Sequence, residues 1–508
     1  MRKKPEALDY EGVFPPKFSR PRENAAPEPP LEPEIVFSPS GAAALPSNLA
    51  PPALAQAPAV PAKAPVVPGK AKKAKPSFME VEAGMWTARR GHGVTFALLF
   101  IFSIVLYLRP YELIPALSSL KSMAFYVGIT TLIVYFITQI VSEGNLTVRP
   151  REVNMVLLVG LGAILSIPLA IDPGEAWEEF YNLAIKTILI FIVFVNVVKT
   201  ENRLRLLWFL VLGVSIYLSV NVIRDYQAGV FKIGAAETNT QRVAGAIGNL
   251  FDNSNDLALH LVTIIPIAFA LGLEKKGLLR KVIYFPITLL MIAAVIITFS
   301  RGGFLGLIVM AIVLVRKLGR RNRTTAMASL VFGVIFFLAV APASYSGRLS
   351  TIFDSASDIT GSSSQRTQVL KRSILVALRY PVFGVGLGNF HHKSFQELGT
   401  HNAYTQVAAE TGIAAMVCYI LFLVHPLRRL RLIERDLYER NETSRFYYLA
   451  IGLQASLVGY MVASFFAAVA YQWYIYYLVG YAIAFRRIYY LEQVEKLNPA
   501  PAPTYLKV

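Results

Sequence analysis

The sequence predicts an all-α integral membrane protein of about 12 transmembrane helices, on three observations. The 508 residues are 55% hydrophobic and only 16% charged, with a mean hydropathy of +0.48, well outside the balance of a soluble domain. Long apolar runs recur along the chain at the length a bilayer demands, since a hydrocarbon core of about 30 Å takes roughly 20 helical residues. Short Lys/Arg clusters fall in every second connection, as the positive-inside rule requires. The net charge of +18 therefore reads as topology, because the bases are not gathered on an aromatic-interleaved face of the kind that binds nucleic acid. Cys418, the only cysteine, lies inside an apolar segment, which excludes a disulfide and a cysteine-based metal site.

Residues 1–88 read as a disordered cytoplasmic tail. They carry 17 of the 30 prolines, mixed with Ala, Lys and Glu, and show no helical or strand period. The run "KAKKAK" (Lys70 to Lys75), with Arg89 and Arg90, suits the anionic cytoplasmic leaflet or simply solvates the tail. No short apolar core of a signal peptide is present, so the first span is expected to act as an uncleaved insertion signal. The membrane domain follows at 89–490, and 491–508 form a short cytoplasmic C-terminal tail.

The expected spans are 93–109, 121–141, 153–171, 182–198, 204–223, 256–273, 280–299, 302–316, 326–342, 402–424, 447–469 and 470–486. Placing Arg89 and Arg90 inside makes the alternate basic loops cytoplasmic, with Arg149/Arg151, Lys199/Arg203/Arg205, Lys275 to Lys281, Arg316 to Arg323 and Arg428 to Arg445. The opposite connections are poor in base: "IDPGEAWEEFYN" has four acids and no Lys or Arg. Both termini are then cytoplasmic, and two long polar stretches, 224–255 and 343–401, lie outside, where a site can be built. Within the second, Gln365 to Tyr380 reads as an amphipathic helix on the membrane surface, with apolar residues at 369, 370, 374, 375 and 378 and bases at 366, 371, 372 and 379. Pro381 ends it, and Gly384, Gly386 and Gly388 of "YPVFGVGLGNF" allow an irregular turn. No buried strand precedes these glycines, which argues against a dinucleotide site.

Four polar constellations fall on the exterior side. The first, "TNTQRVAGAIGNLFDNSNDLALH", supplies Arg242 in a loop and Asn253, Asn255 and Asp256 at a helix entry, where they either contact ligand or cap the helix. The second, "FSRGGFLG", sets Arg301 between two spans; an arginine there snorkels, pairs, or lines a wet cavity, while Gly302, Gly303 and Gly306 permit close helix approach. Arg366 in the amphipathic helix is the third. His401 and Asn402, with Glu410 further along, are the fourth. Arginines converging from separate loops suit a phosphate or pyrophosphate, whose oxygens a guanidinium binds bidentately. A histidine beside them can take a proton from a hydroxyl, or it can be an interfacial residue at a helix mouth. Glu410 is either a buried polar tie between helices or a participant. His391 and His392 stand close to His401 in sequence but have no accompanying carboxylate cluster, and no HExxH, DxD, Walker A or nucleophile elbow appears on the exterior side, so neither a metal nor a nucleotide cofactor is called for.

The set resembles the bacterial O-antigen ligase and polymerase family, membrane glycosyltransferases of the C-type architecture. The similarity runs over about 93–486, through the span plan, the "SRGG" turn, the late exterior loop, the "YPVFGVGLGNF" turn and the "HN" that opens the next span. Two patterns of the ligases are present: R-x3-L as Arg366 to Leu370, and H-[NSQ]-x9-G as His401, Asn402 and Gly412. The last pattern continues to a Gly, Thr or Tyr where this chain has Ala415. The resemblance implies metal-independent, inverting transfer of an undecaprenyl-pyrophosphate-linked glycan to a hydroxyl of lipid A-core, or of a growing glycan in the polymerases, at the outer face of the bacterial inner membrane. By position His401 would activate the acceptor, and Arg301, Arg366 and Arg242 would hold the pyrophosphate; Asn402, Asn253, Asn255 and Glu410, read from the residues alone, are candidate substrate contacts.

Two other classes compete. A lipid-linked oligosaccharide flippase would place polar residues near the midplane of several spans and show internal symmetry, whereas here they gather at one face. A scaffold using the proline-rich tail leaves the exterior motifs unexplained.

Overall fold

The computed structural model describes residue 86, residues 91–114, 117, 122–181, 186–230, 232–233, 241–242, 251, 253–274, 277–321, 323–341 and 362–497. All of them belong to one compact unit, Ala74–Val508. The expected disordered tail, apart from Trp86, most of 231–252, and 342–361 lie outside the described residues.

Helices account for about four fifths of the described residues. They are α1 (Gly93–Leu108), α2 (Met123–Glu143), α3 (Arg151–Ser166), α4 (Pro173–Glu179), α5 (Lys186–Val197), α6 (Glu201–Gln227), α7 (Ser254–Leu273), α8 (Leu278–Ile297), α9 (Arg301–Gly319), α10 (Arg323–Val340), α11 (Ser362–Arg379), α12 (Ala403–Thr411), α13 (Ile413–Glu439), α14 (Arg445–Ala463) and α15 (Trp473–Leu497). A two-residue antiparallel pairing, Lys232 opposite Arg242 and Ile233 opposite Gln241, closes a hairpin after α6. Among the described residues nine helices are long and apolar enough to cross a membrane. Each of the other three predicted spans contains a helix too: the apolar stretches within α5 and α10 are the shorter Thr187–Val197 and Ala326–Val340, while α15 is rich in tyrosine and carries Arg486 and Arg487. That last helix runs on to Leu497, through the first residues assigned above to the C-terminal tail.

One prediction is corrected. The expected span 402–424 is not one helix: α12 stops at Thr411, Gly412 adopts φ 96° and ψ 165°, and α13 starts afresh at Ile413. Apolar composition on both sides of the glycine hides the break in the sequence.

The bundle is centred on α7 and α14, which pack on each other and are the most buried of the spans. Small residues set these contacts. A Cβ on Gly303 would stand 2.5 Å from Ala258 Cβ, one on Gly306 would stand 2.9 Å from Ala463 Cβ, and one on Gly452 would stand 2.8 Å from the Pro266 carbonyl oxygen. The glycines of "SRGGFLG" thus seat α9 in the angle between α7 and α14, where backbone proximity replaces a solvent-driven hydrophobic term.

The two ends of the bundle differ in chemistry. At one, acids and bases from many helix ends pair: Lys199 with Glu143, Glu274 with Arg205 and Arg280, Glu434 with Lys317 and Arg320, and Arg445 with Glu201 and Glu492. Buried Glu152 accepts from Arg486 at 2.7 and 3.2 Å and meets His425 at 3.0 Å. The other end holds the starts of α7, α9 and α12 and the end of α14.

Candidate functional site

At this second end the sequence first builds a capped turn. Asn253 caps α7, accepting from the Asn255 amide at 2.9 Å, so of its two readings the capping role is the one the geometry displays. Its neighbour Asn255 reaches across instead: Ser300 Oγ donates to Asn255 Oδ1 at 2.8 Å and accepts from the Gly303 amide at 3.2 Å. Ser300 is the N-cap of α9, and Phe299 before it turns the chain with a left-handed φ of 53°, uncommon for a side chain of that bulk. Arg301, half-buried, is the first residue of α9, beyond this turn. The signal that could have located Ser300 is the Ser of "SRGG" immediately before a helical apolar run.

Gly302 continues the connection. A Cβ there would lie 2.7 Å from Phe466 Cβ, and the adjacent Phe465 carbonyl accepts from Asn402 Nδ2 at 3.1 Å. Asn402 also caps α12, taking the amides of Tyr404 at 2.9 Å and Thr405 at 3.0 Å on its Oδ1. Tyr404 donates to the Met461 carbonyl at 2.7 Å, and Gln406 accepts from the Ala470 amide at 3.3 Å. The polar face of α12 is therefore fastened to the end of α14 and the segment after it. His401 stands immediately before this cap, half-buried and with a φ of 50°. One continuous set of contacts thus joins the turn carrying Arg301 to the turn carrying His401.

The H-[NSQ]-x9-G spacing acquires a physical meaning here. Asn402 is the cap, the nine residues Ala403–Thr411 are the helix, and Gly412 is the break. A Cβ at Gly412 would stand 2.1 Å from the Val382 carbonyl oxygen. Ala415, where the pattern has other residues, is buried with its Cβ 3.1 Å from the place a Cβ on Gly162 would take. The crossing of α13 on α3 is close at this pair of small residues.

The stretch "YPVFGVGLGNF" is a strap. Val385 and Gly386 donate to the Ala409 and Glu410 carbonyls at 2.9 and 3.0 Å, the Ile171 amide donates to the Val385 carbonyl at 3.1 Å, and the Ile413 amide donates to the Pro381 carbonyl at 2.8 Å. Gly384, at φ 67°, would put a Cβ 2.4 Å from the Glu410 carbonyl carbon. These glycines serve close packing against α12. On the other side, α11 lays Val369 and Val376 against Val385, Phe390 and Ala409, and Arg372 Nε donates to the Lys393 carbonyl at 2.7 Å. Ile374, Leu375 and Leu378 of α11 remain exposed, so the helix has two apolar faces, one packed on protein and one uncovered. Arg366 is half-buried near the start of α11. Arg242 is placed only by its backbone pairing with Lys232; its side chain lies outside the described residues, so its convergence with the other arginines is not part of the geometry.

Glu410 is 4% exposed, and among the described residues its Oε2 has no hydrogen-bond partner. Burial pushes its carboxyl up to about 8, aided by the negative charges of Glu179 and Glu175 and opposed by the Gly388 amide and the Tyr471 hydroxyl. α12 lies outside the nine spans, and the raised value favours the protonated carboxyl at neutral pH. Since the folded protein holds this proton above the pH at which the unfolded chain loses it, the stability it confers is complete in acid and declines as pH rises towards 8. Glu410→Gln is therefore expected to melt like wild type at pH 5 and above it at pH 9 in detergent thermal scans. Parallel curves at both values would refute the protonated state.

Residues 286–420 match the family model described as O-Antigen ligase, a segment that begins in α8 and takes in the "SRGG" turn, α11, the strap, His401, Asn402 and α12. No curated protein matches the chain.

Proposed function

We propose, from the match of residues 286–420 to the O-antigen ligase family model, that this membrane protein transfers a glycan from undecaprenyl pyrophosphate to a hydroxyl of lipid A-core. The reaction takes place at the outer face of the inner membrane. What carries the reading is the contact path Asn255, Ser300, Gly302, Phe466, Phe465 and Asn402, which fixes the Arg301 and His401 turns to the same end of the bundle.

In this mechanism the acceptor oxygen attacks the anomeric carbon as the bond from that carbon to the pyrophosphate oxygen breaks. The acceptor's proton passes to the imidazole of His401, and the electron pair leaves with the pyrophosphate. Arg301 and Arg366 hold the phosphate oxygens, the charge that grows in the transition state, with donors set in place before reaction. A single displacement inverts the anomeric carbon. Asn402 sets the backbone on which His401 stands, and Asn255 does the same for the arginine turn through Ser300.

The test is incubation of purified protein with an undecaprenyl-pyrophosphate glycan, with and without lipid A-core, products being resolved on a gel. Glycan moved onto lipid A-core is expected. A ladder of longer lipid-linked chains would instead identify a polymerase of the same family, and an unaltered donor that merely crosses a vesicle bilayer would identify a flippase.

A further inference from the structure

The acid-rich loop after α3 and the histidine pair after the strap meet. Asp172 caps α4 through the Gly174 and Glu175 amides at 2.9 and 3.1 Å, an arrangement that Pro173 at the first helical position favours. This turn directs Glu175 at the strap. Glu175 Oε2 lies 2.9 Å from His392 Nε2, and its Oε1 lies 3.7 Å from His391 Nε2. One ligand atom from each of the three residues can be chosen so that all lie within 4.8 Å of one another.

The surroundings orient these groups as a ligand set. His391 Nδ1 is 2.9 Å from the Gly388 carbonyl; a carbonyl only accepts, so Nδ1 carries the proton and, in the neutral ring, Nε2 keeps a free lone pair. A ligand histidine tied to a backbone carbonyl through its other nitrogen is the usual outer support of a metal site. Asn389, wholly buried, donates to Glu175 Oε2 at 3.3 Å and accepts from the Asp172 amide at 2.7 Å, which fixes the carboxylate from behind. Gly388 must be glycine for this geometry, having φ 76° and a would-be Cβ 2.8 Å from Glu179 Cγ.

We propose that Glu175, His391 and His392 form a divalent-cation site, with zinc the best fit, that clips the α4 loop to the strap. Tetrahedral ligands about 2.05 Å from zinc stand roughly 3.3 Å apart; the 2.9 Å from Glu175 Oε2 to His392 Nε2 and the 3.7 Å from its Oε1 to His391 Nε2, one histidine at each carboxylate oxygen, lie close to that value. Two imidazoles and one carboxylate match the borderline preference of zinc for nitrogen with oxygen. The surplus of acid in Asp172, Glu178 and Glu179 favours a dication over an anion. Because the strap bonds to the carbonyls of Ala409 and Glu410, the ion would steady the C-terminal end of α12 without any part in glycan transfer.

The experiment uses the full chain, purified in detergent on a tag free of histidine and stripped with chelator. Titration with Co2+ is followed by its visible absorption, and Zn2+ by calorimetry. Wild type is expected to take one equivalent, and Glu175→Gln and His392→Ala are each expected to bind at least tenfold more weakly while keeping the wild-type elution profile. A wild-type protein that takes up neither ion would overturn the proposal. So would variants that bind as wild type does, since the ion would then sit elsewhere.

Discussion

His401→Ala is expected to lower glycan transfer by about 10²–10⁴-fold, the range over which a positioned general base contributes, with the protein still inserted and folded. The side chain follows a cap that does not depend on it: Asn402 holds the Tyr404 and Thr405 amides and the Phe465 carbonyl by itself. The loss should therefore appear in kcat with donor binding retained. Arg301→Ala should lose about 10²–10³-fold by removing one preorganised donor from the leaving group. Arg301→Lys should recover only part of that, because an ammonium keeps the charge and lacks the planar fork. Helix α9 remains capped by Ser300 in both variants. Transfer assays on reconstituted protein, with donor binding measured separately, check these outcomes, and full activity in both His401→Ala and Arg301→Ala would sink the assignment.

How much of this was legible in the sequence depends on how local each signal is. Hydropathy locates a span from its apolar run whether the run faces lipid or, as in α7, is packed inside the bundle, so α1 to α3 and α6 to α9 were found within a few residues. It works less well for α15, whose tyrosines and Arg486 are buried among other helices and whose apolar content is correspondingly low. Capping is local too: Asn253 and Asn402 could be read as caps from their place before a helical run. Contacts across the fold could not be read. That Ser300 would bond Asn255, that Phe465 would receive Asn402, and that a carboxylate for the histidine pair would come from a residue 217 positions away in Glu175 all depend on how the helices pack. The alternation of basic loops, by contrast, sent these bases to one end of the bundle, because helix direction alone places them there; their pairing with acids was not read.

Gly412→Ala is expected to be the most damaging single-methyl change among the described glycines. Its φ of 96° and ψ of 165° fall in a region that residues with a side chain essentially never occupy, at a backbone cost of about 1–3 kcal/mol. The added carbon would also lie 2.1 Å from the Val382 carbonyl oxygen and 2.6 Å from its carbon. Neither neighbour can yield cheaply. Val382 belongs to the strap, held by the Ile413 to Pro381 bond on one side and the Val385 to Ala409 bond on the other. A Gly412 forced back to helical angles would fuse α12 with α13, swing the cap at Asn402 off the Phe465 carbonyl, and carry His401 with it. Stability and activity should thus fall together in Gly412→Ala, whereas His401→Ala loses activity alone. Gly399→Ala serves as control, since a Cβ there meets nothing within 4 Å and its φ is not positive. Thermal unfolding in detergent should show a lowered midpoint and poor folded yield for Gly412→Ala, with Gly399→Ala unchanged. A Gly412→Ala protein that melts with wild type would mean the break between α12 and α13 is not a constraint of the fold.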